Sequence, residues 1–196
     1  KEKDSLGEKN IEDVYYGIHT VRALENFGIK NKRVNEELIK AIALIKIAAA
    51  EANKKAGKLD ENIANAIKEA ANDLIVGNYI DAFMLPSIQG GAGTSTNMCI
   101  NEVIANIALE KMGQSKGDYH IINPLDHVNH SQSTNDVYPT AVKIASIKLL
   151  RELLDETMAL QQELQNKEKA PLPAPSSDNG QQQGYDCNAL FHAASP

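Results

Sequence analysis

Tryptophan is absent from these 196 residues, and phenylalanine occurs only three times. A core without large aromatics has to come from aliphatic side chains and alanine, and Ala, Ile and Leu at this density favour closely packed helices. Cysteine is nearly missing too. Cys99 and Cys187 stand far apart in dissimilar contexts, so two free thiols are expected rather than a disulfide framework. No apolar run approaches the ~18–20 residues of a membrane span. The longest, residues 39–52, is interrupted by Lys40 and Lys46. The opening Lys1-Glu2-Lys3-Asp4 carries neither an initiator methionine nor the apolar core of a secretory signal, so a cytoplasmic setting and a piece of a longer chain are expected. Basic charge is in deficit. A net charge of −6 speaks against a nucleic-acid surface, and no nucleic-acid or membrane partner is expected.

What is present is length enough, at 196 residues, for one domain with a real core, or one and a half, and a hydrophobic content of 42% that speaks against disorder of the whole. Residues 1–33 show no sustained helical period. Tyr15 to Thr20 reads as extended or turning, and Arg22 to Phe27 as a short helical turn at most. Four helical patterns follow. The first has Leu38, Ala41, Ile42, Ile45, Ala48 and Ala49 on its stripe, with Asn35 as N-cap and Gly57 as stop. The second has Asp60 as cap, the stripe Ile63, Ile67, Ala70 and Leu74, and Gly77 at its end. The third starts near Asn97, carries Ile100, Val103, Ile104, Ile107 and Ala108, and stops at Gly113. The fourth starts near Asp136, tolerates Pro139 in its first turn, and runs through Val142, Ile147, Leu150, Leu154 and Met158 to Leu164. A pattern of about 30 residues, ~45 Å at 1.5 Å per residue, belongs to an extended bundle. No strand pattern stands out. From Lys169 the composition turns to Pro, Gln and Ser, which cannot continue a helix, and reads as a disordered or unrelated tail.

Two polar stretches carry the chemistry. One is Gly90-Gly91-Ala92-Gly93-Thr94-Ser95-Thr96-Asn97 and the other Ser131-Gln132-Ser133-Thr134-Asn135-Asp136. Each is dense in hydroxyls and side-chain amides, and each runs into a helical pattern. The unpaired N–H groups and partial positive charge of a helix N-terminus attract anions, so two such ends with added hydroxyl donors suit a carboxylate.

With their neighbours, these stretches resemble the aspartase/fumarase superfamily of cofactor-free lyases. The segment Tyr15-Tyr16-Gly17-Ile18-His19-Thr20-Val21-Arg22-Ala23-Leu24-Glu25-Asn26-Phe27 is similar to its N-terminal signature. Residues 90–97, continuing to Asn101-Glu102-Val103-Ile104-Ala105-Asn106, resemble the first active-site segment. Asp126-His127-Val128-Asn129 with residues 131–136 and Tyr138-Pro139-Thr140 resembles the second. The likeness covers roughly residues 5–168. Gly93 to Asn97 and Ser133-Thr134-Asn135 look like the aspartase versions; class II fumarases tend to carry Gln in the first segment and Ser-Ser-Asn in the second.

The resemblance implies an all-α fold: an N-terminal helical lyase domain over residues 1–139, the start of a central helix bundle over 140–168, and an unrelated tail over 169–196. It implies the reversible elimination of ammonia from L-aspartate to give fumarate, without a cofactor, in a homotetramer whose sites draw on several subunits. Thr94, Ser133 and Thr134 would hold the β-carboxylate, Asn135 would position the other end of the substrate, and Thr96 would be a weaker member of the cradle. Cys99 stands where the family usually has Asn. The family's later Thr-His pair and its Gly-Ser-Ser loop, which supplies the serine base, have no counterpart in this sequence, so the chain by itself is expected to be inactive. The alternatives are a class II fumarase hydrating fumarate, and a non-catalytic helical fragment.

Plainer roles compete for single residues. Thr96 or Asn97, and Asn135 or Asp136, are candidate N-caps. His127 and His130 have no ligand-spaced partners for a metal and suit surface or capping roles. Arg22 suits an ion pair with Glu25 or a neighbour ahead of anion binding. Cys99 suits a small buried position.

Overall fold

The computed structural model describes residues 1–28 and 32–169. The Pro- and Gln-rich stretch, including Cys187, lies outside the described residues. Among them are two short strands, β1 (Glu2–Asp4) and β2 (Gly7–Lys9), and five α-helices: α1 (Ile18–Asn26), α2 (Glu36–Lys55), α3 (Glu61–Ile75), α4 (Thr94–Lys111) and α5 (Thr134–Lys169). The expected all-α class holds. The strands pair antiparallel, with Glu2 opposite Lys9 and Asp4 opposite Gly7. At three residues each they are too short to show an alternating pattern in sequence.

Local signals set several boundaries. Asn35 caps α2 by accepting from the Glu37 N–H at 2.8 Å, and Asp60 caps α3 by accepting from Asn62 at 2.8 Å, both as expected. Gly57, Gly77 and Gly113 follow α2, α3 and α4 with φ of +67°, +92° and +72°, the left-handed conformation that ends a helix cheaply only at glycine.

Three expectations are corrected. The buried stripe of α2 is Ile39, Ala41, Ile42, Ala43, Lys46, Ala50 and Asn53, rotated from the expected one toward the side that carries a lysine and an asparagine. The last two helices start at Thr94 and Thr134, ahead of Asn97 and Asp136, because Gly93 and Ser133 terminate the loops that precede them. The N-terminal region contains α1, nine residues long, where only a turn was expected.

The reason for α1 lies far away in sequence. Gly17, its N-cap, has no side chain to satisfy the first N–H groups. The carboxylate of Glu102, on α4 and fully buried, does so instead: it accepts from the N–H groups of Gly17 (2.9 Å), His19 (2.8 Å) and Thr20 (3.1 Å) and from the Thr20 hydroxyl (2.6 Å). Glu2 of β1 accepts from the Ile18 N–H at 2.7 Å.

Residues 1–154 form one compact unit, and residues 155–169 belong to a second. In the first, α4 is the central element. α1, α2, α3 and a wide helical turn at Pro124–Val128 pack on it, and every residue from Cys99 to Leu109 is buried, leaving no exposed face there. Ile100, Val103, Ile104, Ile107 and Leu109 are at most 1% exposed, each contributing about 1.5–3 kcal/mol of burial. α5 buries only Val137, Ala141 and Ala145, while Ile147, Leu150 and Leu154 remain more than half exposed.

Candidate functional site

The first polar stretch turns sharply before it becomes a helix. Gly91, Ala92 and Gly93 all take positive φ, +86°, +50° and +85°. Gly93 is placed so that a Cβ there would overlap the Tyr138 ring of α5, so glycine is required both by conformation and by space. Thr94 then opens α4, its hydroxyl donating to the Gly91 carbonyl at 2.6 Å. The second stretch turns at Ser131, φ +58°, and Ser133 caps α5 by accepting from the Asn135 N–H at 3.2 Å. The capping role expected of Asn135 or Asp136 therefore belongs to Ser133, and α4 has Gly93 as its cap with no side-chain bond.

The two stretches meet. The Asn97 side-chain amide donates to the Thr134 hydroxyl at 3.1 Å and to Asn129 Oδ1 at 3.1 Å. With Gly93 against Tyr138, this sets the N-termini of α4 and α5 side by side, each presenting the partial positive charge of its first turn.

The expected site residues fall in different surroundings. Thr94 is exposed and, with Ser95, lines a 560 Å³ cavity shared with His19, Arg22, Phe27 and Met98. Ser133 is exposed at the head of α5, and Thr134 is half-buried with its hydroxyl on Asn97. Asn135 is exposed in a neighbouring 440 Å³ cavity with Gln89, Gly93 and Tyr138. Thr96 is buried at 2% exposure, and its hydroxyl has no partner among the described residues.

Arg22 forks onto Asp4, at 2.5 and 2.7 Å, a neighbour in space rather than Glu25. The guanidinium holds the Asp4 carboxyl below its usual range. His127 accepts the Asn123 N–H through Nδ1, and His130 Nδ1 lies 2.9 Å from the Asp126 carbonyl, both local turn contacts. Cys99 is buried, and burial pushes its thiol up to about 12, which makes it unreactive. Among the described residues no group of three His, Cys, Asp or Glu side chains is placed to hold a metal.

Sequence reasoning missed Glu102, Asn129, Gln89 and Lys46. Gln89 brings to the Asn135 cavity a buried amide oxygen without a partner among the described residues. Lys46 offered a signal: a lysine on the same helical stripe as Ile39, Ile42 and Ala50.

The sequence and the fold both have close likenesses. A profile described as lyase matches residues 8–172. An aspartate ammonia-lyase of a Bacillus species is 52% identical over 167 residues, covering 85% of this chain and 36% of the relative. The crystal structure of a fumarate lyase:delta crystallin from Brucella melitensis aligns with TM-score 0.73 at 52% identity, over 74% of this chain and 34% of that one. A class II fumarase from Schistosoma mansoni aligns with TM-score 0.70 at 35% identity, over 74% and 31%. The chain spans about a third of the length of the relatives it matches.

Proposed function

We propose, from the premise that this chain belongs to the lyase family, that it is part of an aspartate ammonia-lyase and that its two polar stretches form the carboxylate cradle of the active site. The observation that carries the reading is the Asn97–Thr134 hydrogen bond, which joins the stretches at the heads of two helices. In this reading Thr94, Ser133 and Thr134 hold the β-carboxylate, with Thr96 the weaker member of the cradle and Asn135 toward the amino end of the substrate.

The chemistry explains the choice of residues. Ammonia leaves L-aspartate when a base removes a proton from Cβ, and the carbanion is stabilised by spreading its charge onto the adjacent carboxylate. Those oxygens gain negative charge as the transition state forms. Neutral hydroxyls and amides aimed at them bind that state more tightly than the substrate, and loss of one such donor typically costs on the order of 3 kcal/mol of barrier. The reaction uses no cofactor. The serine base is absent from this sequence, so the chain alone is expected to release no ammonia.

In the same reading, residues 1–139 are the N-terminal lyase domain and residues 140–168 begin the central bundle. Composite sites then require a homotetramer of complete subunits. The exposed Ile147, Leu150 and Leu154 suit helix partners in such a bundle. A cytoplasmic setting accords with the free thiol of Cys99. The complete subunit containing this chain tests the reading. Ammonia and fumarate from L-aspartate support it. Hydration of fumarate to malate without ammonia chemistry replaces it with the fumarase reading, and turnover of neither substrate contradicts both.

A further inference from the structure

Lys46 is fully buried, at 0% exposure, in the middle of α2. Its Nζ donates to Asn129 Oδ1 at 2.9 Å and to Gln132 Oε1 at 3.0 Å, and no carboxylate reaches it among the described residues. An ammonium buried against amide oxygens alone is costly to keep, and burial lowers its pKa to about 7. Charged and titratable groups on the surrounding elements are committed elsewhere. Glu51 of α2 pairs with Lys68, and Glu102 of α4 holds α1. On the turn, His127 and His130 make local bonds and Asp126 is exposed.

The partners of Lys46 are the junction of the two polar stretches. Asn129 Oδ1 also receives the side-chain amides of Asn97 (3.1 Å) and Asn101 (3.2 Å) from α4. Asn129 in turn donates to the Gln132 carbonyl at 3.1 Å, and Gln132 donates to the Val128 carbonyl at 2.9 Å. The turn that carries Ser131 in a left-handed conformation is thus closed on itself and fastened to α2. The Asn97 amide that meets Asn129 is the one that meets the Thr134 hydroxyl.

We propose that Lys46 is a positioning residue for the dicarboxylate cradle: its ammonium clamps residues 129–132 onto the start of α4 through Asn129 and Gln132, and thereby sets where the Thr134 hydroxyl stands. The clamp rests on this geometry; its ligand rests on the functional reading above.

The test uses the complete subunit containing this chain, with succinate as the probe. In wild-type protein the side-chain amide signals of Asn97 and Asn129 follow the titration of Lys46 seen by its Cε resonance, with a common midpoint; amides that ignore that titration overturn the clamp, whether or not any variant folds. Succinate affinity in the wild type rises as pH falls through about 7. In Lys46→Met that pH dependence is lost, affinity falls by about tenfold or more, and amide exchange of Asp136 and Val137 accelerates while α3 is unchanged. A Lys46→Met protein with the wild-type pH profile and exchange rates overturns the proposal. Absence of succinate binding by the wild type contradicts the functional reading instead, and the co-titration still decides the clamp.

Discussion

The hydroxyl of Thr20 donates to the Glu102 carboxylate across 2.6 Å, joining residues 82 positions apart in the chain. With the Gly17, His19 and Thr20 N–H groups on the same carboxylate, it makes a helix cap out of a residue on another helix. Glu102→Ala leaves these donors buried and unpaired. The expected loss is at least about 1.5–3 kcal/mol, the magnitude of a single charge-assisted bond, visible as a lower melting temperature and as rapid amide exchange confined to α1. An unchanged melting temperature and a protected α1 contradict this account of the helix.

Asn97 links the two polar stretches, so its loss acts on binding more than on fold. Asn97→Ala removes the donor to Thr134 and one of the donors to Asn129. Affinity for succinate is expected to fall by about tenfold, as for loss of one hydrogen bond in a buried network. Calorimetric titration checks it.

Gly93 meets two demands, and they can be separated. Gly93→Ala places a Cβ in the left-handed region, costing about 1–2 kcal/mol, and drives it into the Tyr138 ring. Tyr138→Ala in the same protein relieves the overlap but not the conformation. The double variant is therefore expected to lose less than the sum of the two single losses, measured by denaturant unfolding. Additive losses contradict the contact.

The N-terminal hairpin holds two carboxyls that respond to acid in opposite senses. Asp4 is lowered by Arg22, so its contribution is present above the ordinary carboxylate value and is lost as pH falls through its folded-state value. Glu2 is raised, first by burial and further by the Glu102 charge; its contribution is full below the ordinary value and is lost as pH rises through the folded one. Arg22→Gln abolishes the Asp4 response and leaves that of Glu2. Acid unfolding of the hairpin, followed by the Gly7 and Ile18 amide signals, is then expected to weaken in the variant, and an acid transition identical to wild type contradicts the Asp4 assignment.

Much of this was legible in the sequence where signals are local. Asn35 and Asp60 announced their helices, the glycines announced the ends, and the stripe of α4 from Ile100 to Ala108 lies in the core. What sequence hid was non-local. α1 depends on a carboxylate from α4, so its own residues carry no start signal. The α2 stripe passes through Lys46 and Asn53, which only their partners on the 128–132 turn make admissible in a core. In the site, the two helix-heading stretches were readable as motifs. Their meeting through Asn97 was not, because an amide that bridges two loops looks the same in sequence as one that caps a helix.

The most direct test of the central claim is a titration of the complete subunit containing this chain with succinate, followed through the backbone amide resonances of these residues. The account predicts saturable shifts concentrated at Thr94 to Asn97 and Ser133 to Asn135. Shifts concentrated elsewhere, or none at saturating concentration, would contradict it.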